Sequence, residues 1–72
     1  MKPTPDDIML GAFTRIRRTI AEDLTQAQLG RRLDLTQSQL SRAESCGAMN
    51  ARTRAILISY NRLDAEYEEL QP

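Results

Sequence analysis

A six-residue sequence occurs twice in the chain, eleven residues apart: LTQAQL at Leu24–Leu29 and LTQSQL at Leu35–Leu40. Each copy has the pattern of a helix start, with a threonine that caps the first turn and a glutamine three residues later that completes a capping box. The leucines of each copy have the spacing of a hydrophobic staple. Two helix starts this close leave room for one short helix and a tight turn, which is the spacing of a helix-turn-helix.

The turn between the two copies is predicted at Asp34. Helix 2 is expected over about residues 25–33 and helix 3 over about residues 36–45. Aspartate is one of the few residues besides glycine that tolerates the left-handed backbone such a turn requires. Gly30 is expected where a side chain larger than alanine would hold the next helix away.

Helix 1 is predicted over about residues 5–21, because Thr4 and Pro5 form a typical helix start. Its apolar residues recur every three or four positions, so we expect them on one buried face. They are Met9, Ala12, Phe13, Ile16 and Ile20.

A fourth helix is predicted after Asn50, within a C-terminal segment that covers residues 51–70. Apolar residues recur there in steps of four and three, as in a coiled-coil heptad. They are Ile56, Tyr60, Leu63, Tyr67 and Leu70. We expect the first two in the core and the last three at a homodimer contact. In the alternative, the tail packs back on its own core. Helix 4 either continues to residue 70 or ends at Asn61, before a short fifth helix that Asp64 caps.

The composition limits the classes of protein. At 72 residues the chain is expected to be one domain, residues 1–72, and a domain this small buries only about 60% of its surface and often needs a partner. It contains no histidine and one cysteine, Cys46, so we expect no enzyme, no metal and no cofactor. A lone cysteine fits a reducing compartment, and no apolar run approaches the ~20 residues of a membrane span. We therefore expect a cytoplasmic protein without membrane contact.

The charges are unevenly distributed although they sum to zero. Residues 8–62 contain nine arginines and four acids, whereas residues 63–72 contain four acids and no base. The planar fork of arginine suits phosphates and guanine edges, so the basic body is expected to bind nucleic acid. The alternative is that these arginines serve solubility alone. The acidic tail, residues 64–69, indicates a possible protein partner.

The exposed side of helix 3 is expected to consist of glutamine, serine and arginine, whereas a merely solvent-facing helix usually carries more glutamate and lysine. The residues are Gln37, Ser38, Ser41, Arg42 and Ser45. Side chains of these types form hydrogen bonds with base edges or phosphates.

The stretch LTQAQLGRRLDLTQSQLSRAE, residues 24–44, resembles the DNA-binding domains of the lambda-repressor and Cro family, whose usual pattern is LTQ-x-x-LA-x-x-x-G-(V/L)-(S/T)-x-x-x-(I/L)-S-x-x-E. The resemblance implies an all-α, lambda-repressor-like bundle of four to five helices with a helix-turn-helix at about residues 25–45. Helix 3 would enter the major groove and helix 2 would cross the backbone. Asp34 and Gly30 replace the family's usual glycine and alanine, and both replacements are sterically tolerable.

The resemblance also implies roles by position. The base-contacting positions correspond to Gln37, Ser38 and Arg42. Phosphate contacts are assigned to Gln26, Ser41, Ser45 and Arg52, with Arg54 as a further candidate. Glu44 matches a structural acid that pairs with an arginine of helix 1, here Arg18. The loop after helix 3, residues 46–49, is uncharged, where the family usually has a polar and basic loop.

Together these observations predict a sequence-specific transcriptional regulator, a small repressor of the phage or plasmid type. It would bind a palindromic double-stranded DNA operator as a homodimer, with recognition helices ~34 Å apart. The alternative function is an antitoxin- or inhibitor-like interaction module that docks its acidic tail on a basic protein partner.

Overall fold

The computed structural model describes residues 4–61, and this part of the chain is all-helical. The four α-helices are α1, Pro5–Ile16; α2, Gln26–Leu33; α3, Gln37–Cys46; and α4, Ala51–Tyr60. A single π-helical segment, Arg17–Ala21, extends α1. These bounds confirm all four predicted helices. No helix in this part of the chain is long and apolar enough to cross a membrane.

The end of α4 decides one alternative that the sequence left open. The helix stops at Tyr60, and Asn61 is its C-cap, so a continuous helix to residue 70 is wrong. The predicted fifth helix capped by Asp64 lies outside the described residues, and so do Leu63, Tyr67 and Leu70.

The predicted helix starts are confirmed in detail. Thr25 accepts a hydrogen bond from the Gln28 amide at 3.1 Å, and the Gln28 side chain accepts one from the Thr25 amide at 2.9 Å. Thr36 and Gln39 form the same reciprocal pair at 3.0 and 2.9 Å. The N-caps of α1 and α4 are Thr4 and Asn50. Local sequence therefore specifies where every helix begins.

The turn between α2 and α3 requires two unusual residues. Asp34 has a left-handed backbone, with φ 57° and ψ 45°, as predicted. Gly30 leaves no room for any side chain, because a Cβ there would lie 2.6 Å from the Leu35 carbonyl oxygen. The expectation that only side chains larger than alanine are excluded is therefore too permissive. At this point the backbone of α2 packs directly against the backbone of the turn that leads into α3.

The core is small and lies between all four helices. It consists of Leu10, Leu29, Leu35, Leu40, Ala43 and Leu57. The predicted core residues Ile56 and Tyr60 pack against this cluster while remaining half-buried. Helix α1 lies directly on α3, since a Cβ on Gly11 would overlap the carbonyl group of Ala43.

The predicted buried face of α1 is wrong. Ala12 is exposed, and the four large apolar side chains of the predicted face are 42–79% exposed. They are Met9, Phe13, Ile16 and Ile20. The face that packs against the other helices contains instead Asp7, Leu10, Gly11, Thr14 and Arg18.

The physical reason is that each buried polar group of this face has a partner. Asp7 is paired with Arg54 through two hydrogen bonds of 2.7 and 2.9 Å, and the Arg54 guanidinium lowers the pKa of that carboxyl below its usual 3.8. Thr14 donates to the Leu10 carbonyl and accepts a hydrogen bond from Asn61. Because burial without a partner is what makes polar groups costly, this satisfied polar face can replace the apolar one.

Candidate nucleic-acid interface

The outward side of α3 is polar and exposed over the length of the helix. Leu40 and Ala43 lie on its inward side and are fully buried. The DNA-contact residues predicted within α3 all lie on the outward side: Gln37, Ser38, Ser41, Arg42 and Ser45. The structure therefore brings together the α3 residues that the sequence assigned to DNA.

Three of these side chains have no internal role in the described part of the chain. Gln37, Ser38 and Arg42 form no side-chain hydrogen bond or ion pair with another residue between positions 4 and 61. Ser45 donates to the Ser41 carbonyl at 2.8 Å, which leaves its oxygen available as an acceptor. The exposed Gln37 amide and Arg42 guanidinium can therefore bind a ligand without first breaking an internal contact.

The start of α2 lies beside α3. The side-chain amide of Gln26, the first residue of α2, donates to Glu44 Oε1 at 3.3 Å. The capping box of α2 satisfies the amides of Thr25 and Gln28, while the first-turn amides between them have no acceptor within the helix. Such amides, together with the positive end of the helix dipole, favour an anionic oxygen.

A buried ion pair fixes this arrangement. Arg18 donates two hydrogen bonds to the Glu44 carboxylate, each at 2.8 Å, and the two side chains are 11% and 3% exposed. Arg18 also donates to the Leu24 carbonyl at 2.8 Å, and the hydrogen bonds to Glu44 raise the pKa of Arg18. The predicted pairing of Glu44 with Arg18 is confirmed. It ties the π-helical segment after α1 and the connector before α2 to the last turn of α3.

The sequence did not single out Arg15. This exposed arginine lines a shallow groove between α1, α2 and α3. The other lining residues are Arg18, Gln26, Ser41, Glu44 and Ser45. Its position three residues before Arg18 was an available signal, because residues three apart lie on the same side of a helix.

The two arginines proposed to bind phosphate after α3 differ in their surroundings. Arg52 donates to the side chain and the carbonyl of Asp34, both at 3.1 Å, but the Arg52 and Asp34 side chains are exposed. An exposed pair of this kind is weak, so a phosphate contact by Arg52 stays a prediction. Arg54 is held by the buried Asp7 carboxylate, which gives it a structural role.

The other flank of α3 is almost uncharged. Here Arg42 borders a groove formed with the loop that follows α3 and the start of α4. The remaining lining residues are Gln39, Ala48, Met49, Asn50 and Thr53. The neutral loop noted in the sequence therefore lies beside one of the predicted base-contacting residues.

Within residues 4–61, no group of three or more acidic, histidine or cysteine side chains is placed to hold a metal ion. Cys46 is exposed, and its thiol donates to the Arg42 carbonyl at 3.2 Å. No family model, no curated protein and no solved structure matches this chain.

Proposed function

We propose that this protein is a sequence-specific DNA-binding transcriptional regulator with a lambda-repressor-like arrangement of helices. The observation that carries the proposal is the outward side of α3, whose Gln37, Ser38 and Arg42 side chains are exposed and without internal partners among the described residues. Helix α3 is the recognition helix in this proposal, and α2 lies across the DNA backbone.

Base recognition is assigned to the three unpartnered side chains of α3. Arg42 would donate two hydrogen bonds to the O6 and N7 atoms of a guanine, and Gln37 would bind the N6 and N7 edge of an adenine. Ser38 lies one residue further along the exposed surface and suits either base type. Each good bidentate contact discriminates against the wrong base by about 1–3 kcal/mol.

Phosphate contacts are assigned to residues on either side of α3. Gln26 and the first-turn amides of α2 lie on one flank, where the Glu44 carboxylate orients the Gln26 amide at 3.3 Å. Arg15, Ser41 and Ser45 line the same groove, and Arg52 is the candidate on the side of α4. Such contacts position the protein on the duplex without reading its sequence.

A homodimer and a repressor role complete the proposal. If two copies bind together, the operator is palindromic and its half-sites lie about one helical turn, ~34 Å, apart. The predicted dimer residues lie outside the described residues, so the dimer contact stays a prediction. The alternative of an interaction module depends on the acidic residues 64–69, which also lie outside them.

The test is selection of bound fragments from random DNA, followed by titration of the enriched sequence. Arg42→Ala is expected to weaken binding about tenfold or more by loss of a bidentate base contact, with an unchanged helical circular dichroism spectrum. Arg31→Ala is the matched control, because Arg31 is an exposed arginine at the corresponding position of the first repeat copy. Arg31→Ala should leave the base preference of the protein unchanged.

The salt dependence of the same titration separates the two candidate functions. Affinity for the enriched sequence should fall steeply as salt is raised, because phosphate contacts release counterions. The absence of any enriched sequence, together with binding that does not change with salt, would contradict the proposal and favour the interaction module.

A further inference from the structure

Three arginines form ion pairs within residues 4–61, and one of the three pairs differs from the other two. Arg18 and Arg54 each bind a carboxylate with Nε and Nη2 together, and those carboxylate side chains are 3% and 7% exposed. Arg52 pairs with Asp34, and these two side chains are 54% and 96% exposed. Loss of one partner from a buried pair is costly, whereas an exposed pair such as Asp34–Arg52 opens at little cost.

The Asp34–Arg52 pair occupies one nitrogen of the guanidinium. Nη2 of Arg52 donates to the carboxylate and to the carbonyl of Asp34, both at 3.1 Å, and this nitrogen has only two hydrogens to donate. A guanidinium can donate two parallel hydrogen bonds to a phosphate from either of two edges, Nε with Nη2 or Nη1 with Nη2. Because Nη2 belongs to both edges, Arg52 cannot bind a phosphate in this bidentate way while it is paired with Asp34.

The pair lies at the edge of the candidate interface. Asp34 is the C-cap of α2 and comes three residues before Gln37, the first residue of α3. Arg52 is in the first turn of α4. An exposed carboxylate in this position also repels phosphates directly, so Asp34 opposes DNA binding both by its own charge and by its bonds to Arg52.

We propose that Asp34 restrains DNA binding at this edge: Arg52 is paired with Asp34 in the free protein and exchanges that partner for a backbone phosphate in the complex. The inference rests on the proposed DNA-binding function and assigns Asp34 as a positioning residue that lowers affinity. The exchange is favourable because a bidentate bond to a phosphate is stronger than the exposed pair that it replaces.

The competing arrangement leaves the pair intact in the complex. Asp34 would then hold the guanidinium in place, and Arg52 would reach the phosphates with Nε or Nη1 alone. A carboxylate that supports a contact in this way raises affinity, whereas one that restrains the arginine lowers it. Removal of the Asp34 charge therefore changes affinity in opposite directions in the two arrangements.

Asp34→Asn is the variant that tests the restraint. Asparagine also tolerates a left-handed backbone, here with φ 57°, so the turn is preserved. Because phosphate contacts do not depend on sequence, binding is measured with a duplex of arbitrary sequence as well as with a selected operator. Affinity for both should rise about two- to fivefold at low salt. The logarithmic slope of affinity against salt should become steeper by about 0.9, as for one further phosphate contact.

The chain offers a matched control in Asp23. Like Asp34, it is an exposed aspartate with a left-handed backbone, at φ 52°. Within residues 4–61 it forms no ion pair with an arginine, and it lies shortly before the first turn of α2. Asp23→Asn therefore removes the same charge without releasing an arginine. Its affinity should rise less than that of Asp34→Asn, and its salt slope should stay unchanged.

A double-mutant cycle with Arg52→Ala separates partner exchange from a general effect of charge. If Asp34 acts through Arg52, most of the gain from Asp34→Asn, and its steeper salt slope, should disappear in the Arg52→Ala background. Circular dichroism and thermal unfolding of all variants check that the helices remain intact.

Each other outcome overturns the inference. An equal gain with and without Arg52 would mean that only a charge was removed, and a lower affinity of Asp34→Asn would mean that the carboxylate supports the arginine. Both results leave DNA binding itself established. The absence of binding to any duplex would instead overturn the proposed function and, with it, this inference.

Discussion

The two copies of the repeated sequence, Leu24–Leu29 and Leu35–Leu40, have the same local structure and different surroundings. Both capping boxes are formed, with hydrogen bonds between 2.9 and 3.1 Å. The residue that directly follows each capping threonine differs in environment: Gln26 donates to Glu44, whereas Gln37 is exposed and has no partner within the described chain. The local sequence specifies a helix start, and the packing around it decides what the exposed glutamine can do.

The difference continues beyond the repeat. Gly30 and Ser41 occupy corresponding positions, one buried against the Leu35 carbonyl and one exposed on α3. In the first copy, Gln26 and the following Gly30 thus contact α3 and the turn, whereas the corresponding Gln37 and Ser41 are exposed on α3. Variants at matched positions of the two copies should therefore behave differently.

The largest expected effect on the free energy of unfolding comes from the Arg18–Glu44 ion pair, which lies beside Gln26 of the first copy. Arg18→Met leaves the Glu44 carboxylate, 3% exposed, without its cation and should lower the free energy of unfolding by about 3–5 kcal/mol. Urea unfolding followed by circular dichroism measures the change. Arg15→Met, three residues earlier and exposed, should change stability by less than about 0.5 kcal/mol. Equal losses in the two variants would contradict the structural role of the buried pair.

The next largest effect distinguishes the corresponding positions Gly30 and Ser41. Helix propensity alone predicts that Gly30→Ala stabilises α2 by about 1 kcal/mol. Its Cβ would lie 2.6 Å from the Leu35 carbonyl oxygen, so we expect instead a net loss of about 1–3 kcal/mol from overpacking. Ser41→Ala should be nearly neutral, and thermal unfolding of the two variants checks the contrast. A stabilised Gly30→Ala variant would show that α3 can move away at no cost.

The smallest effect on the free energy of unfolding is expected from the capping boxes, which the two copies have in common. Thr25→Ala and Thr36→Ala each remove one capping hydrogen bond and should each lower the unfolding free energy by about 1 kcal/mol. Because the two boxes have the same geometry, the losses should agree closely. A large difference, measured by urea unfolding, would mean that one cap also stabilises tertiary packing.

Features that depend on neighbours in the sequence were predictable. The caps at Thr25 and Thr36 and the left-handed Asp34 follow from side chains that bond within three residues or from the backbone of a single residue. The α1 face was not predictable from apolar periodicity. Its buried Asp7 and Arg18 have partners 47 and 26 residues away in the chain, and no local pattern records such pairs.

In the candidate nucleic-acid interface, too, features set by nearby residues were predictable and features set by tertiary packing were not. The exposed residues of α3 could be predicted because Leu40 and Ala43 define the inward side of a short helix. Arg15 was missed because its proximity to Ser41 and Ser45 depends on how closely α1 lies on α3 at Gly11. The structural role of Arg54 could not be predicted for a similar reason, since only the fold reveals that it pairs with the buried Asp7.

The most direct test of the central claim compares Gln37→Ala with Gln26→Ala in a binding-site profile, in which every position of the selected operator is varied in turn. Loss of a base contact at Gln37 should reduce discrimination at one base pair of each half-site by about 1–3 kcal/mol. Loss of the phosphate contact proposed for Gln26 should weaken binding by a similar factor at every sequence. An unchanged profile for Gln37→Ala, or an altered base preference for Gln26→Ala, would contradict the account.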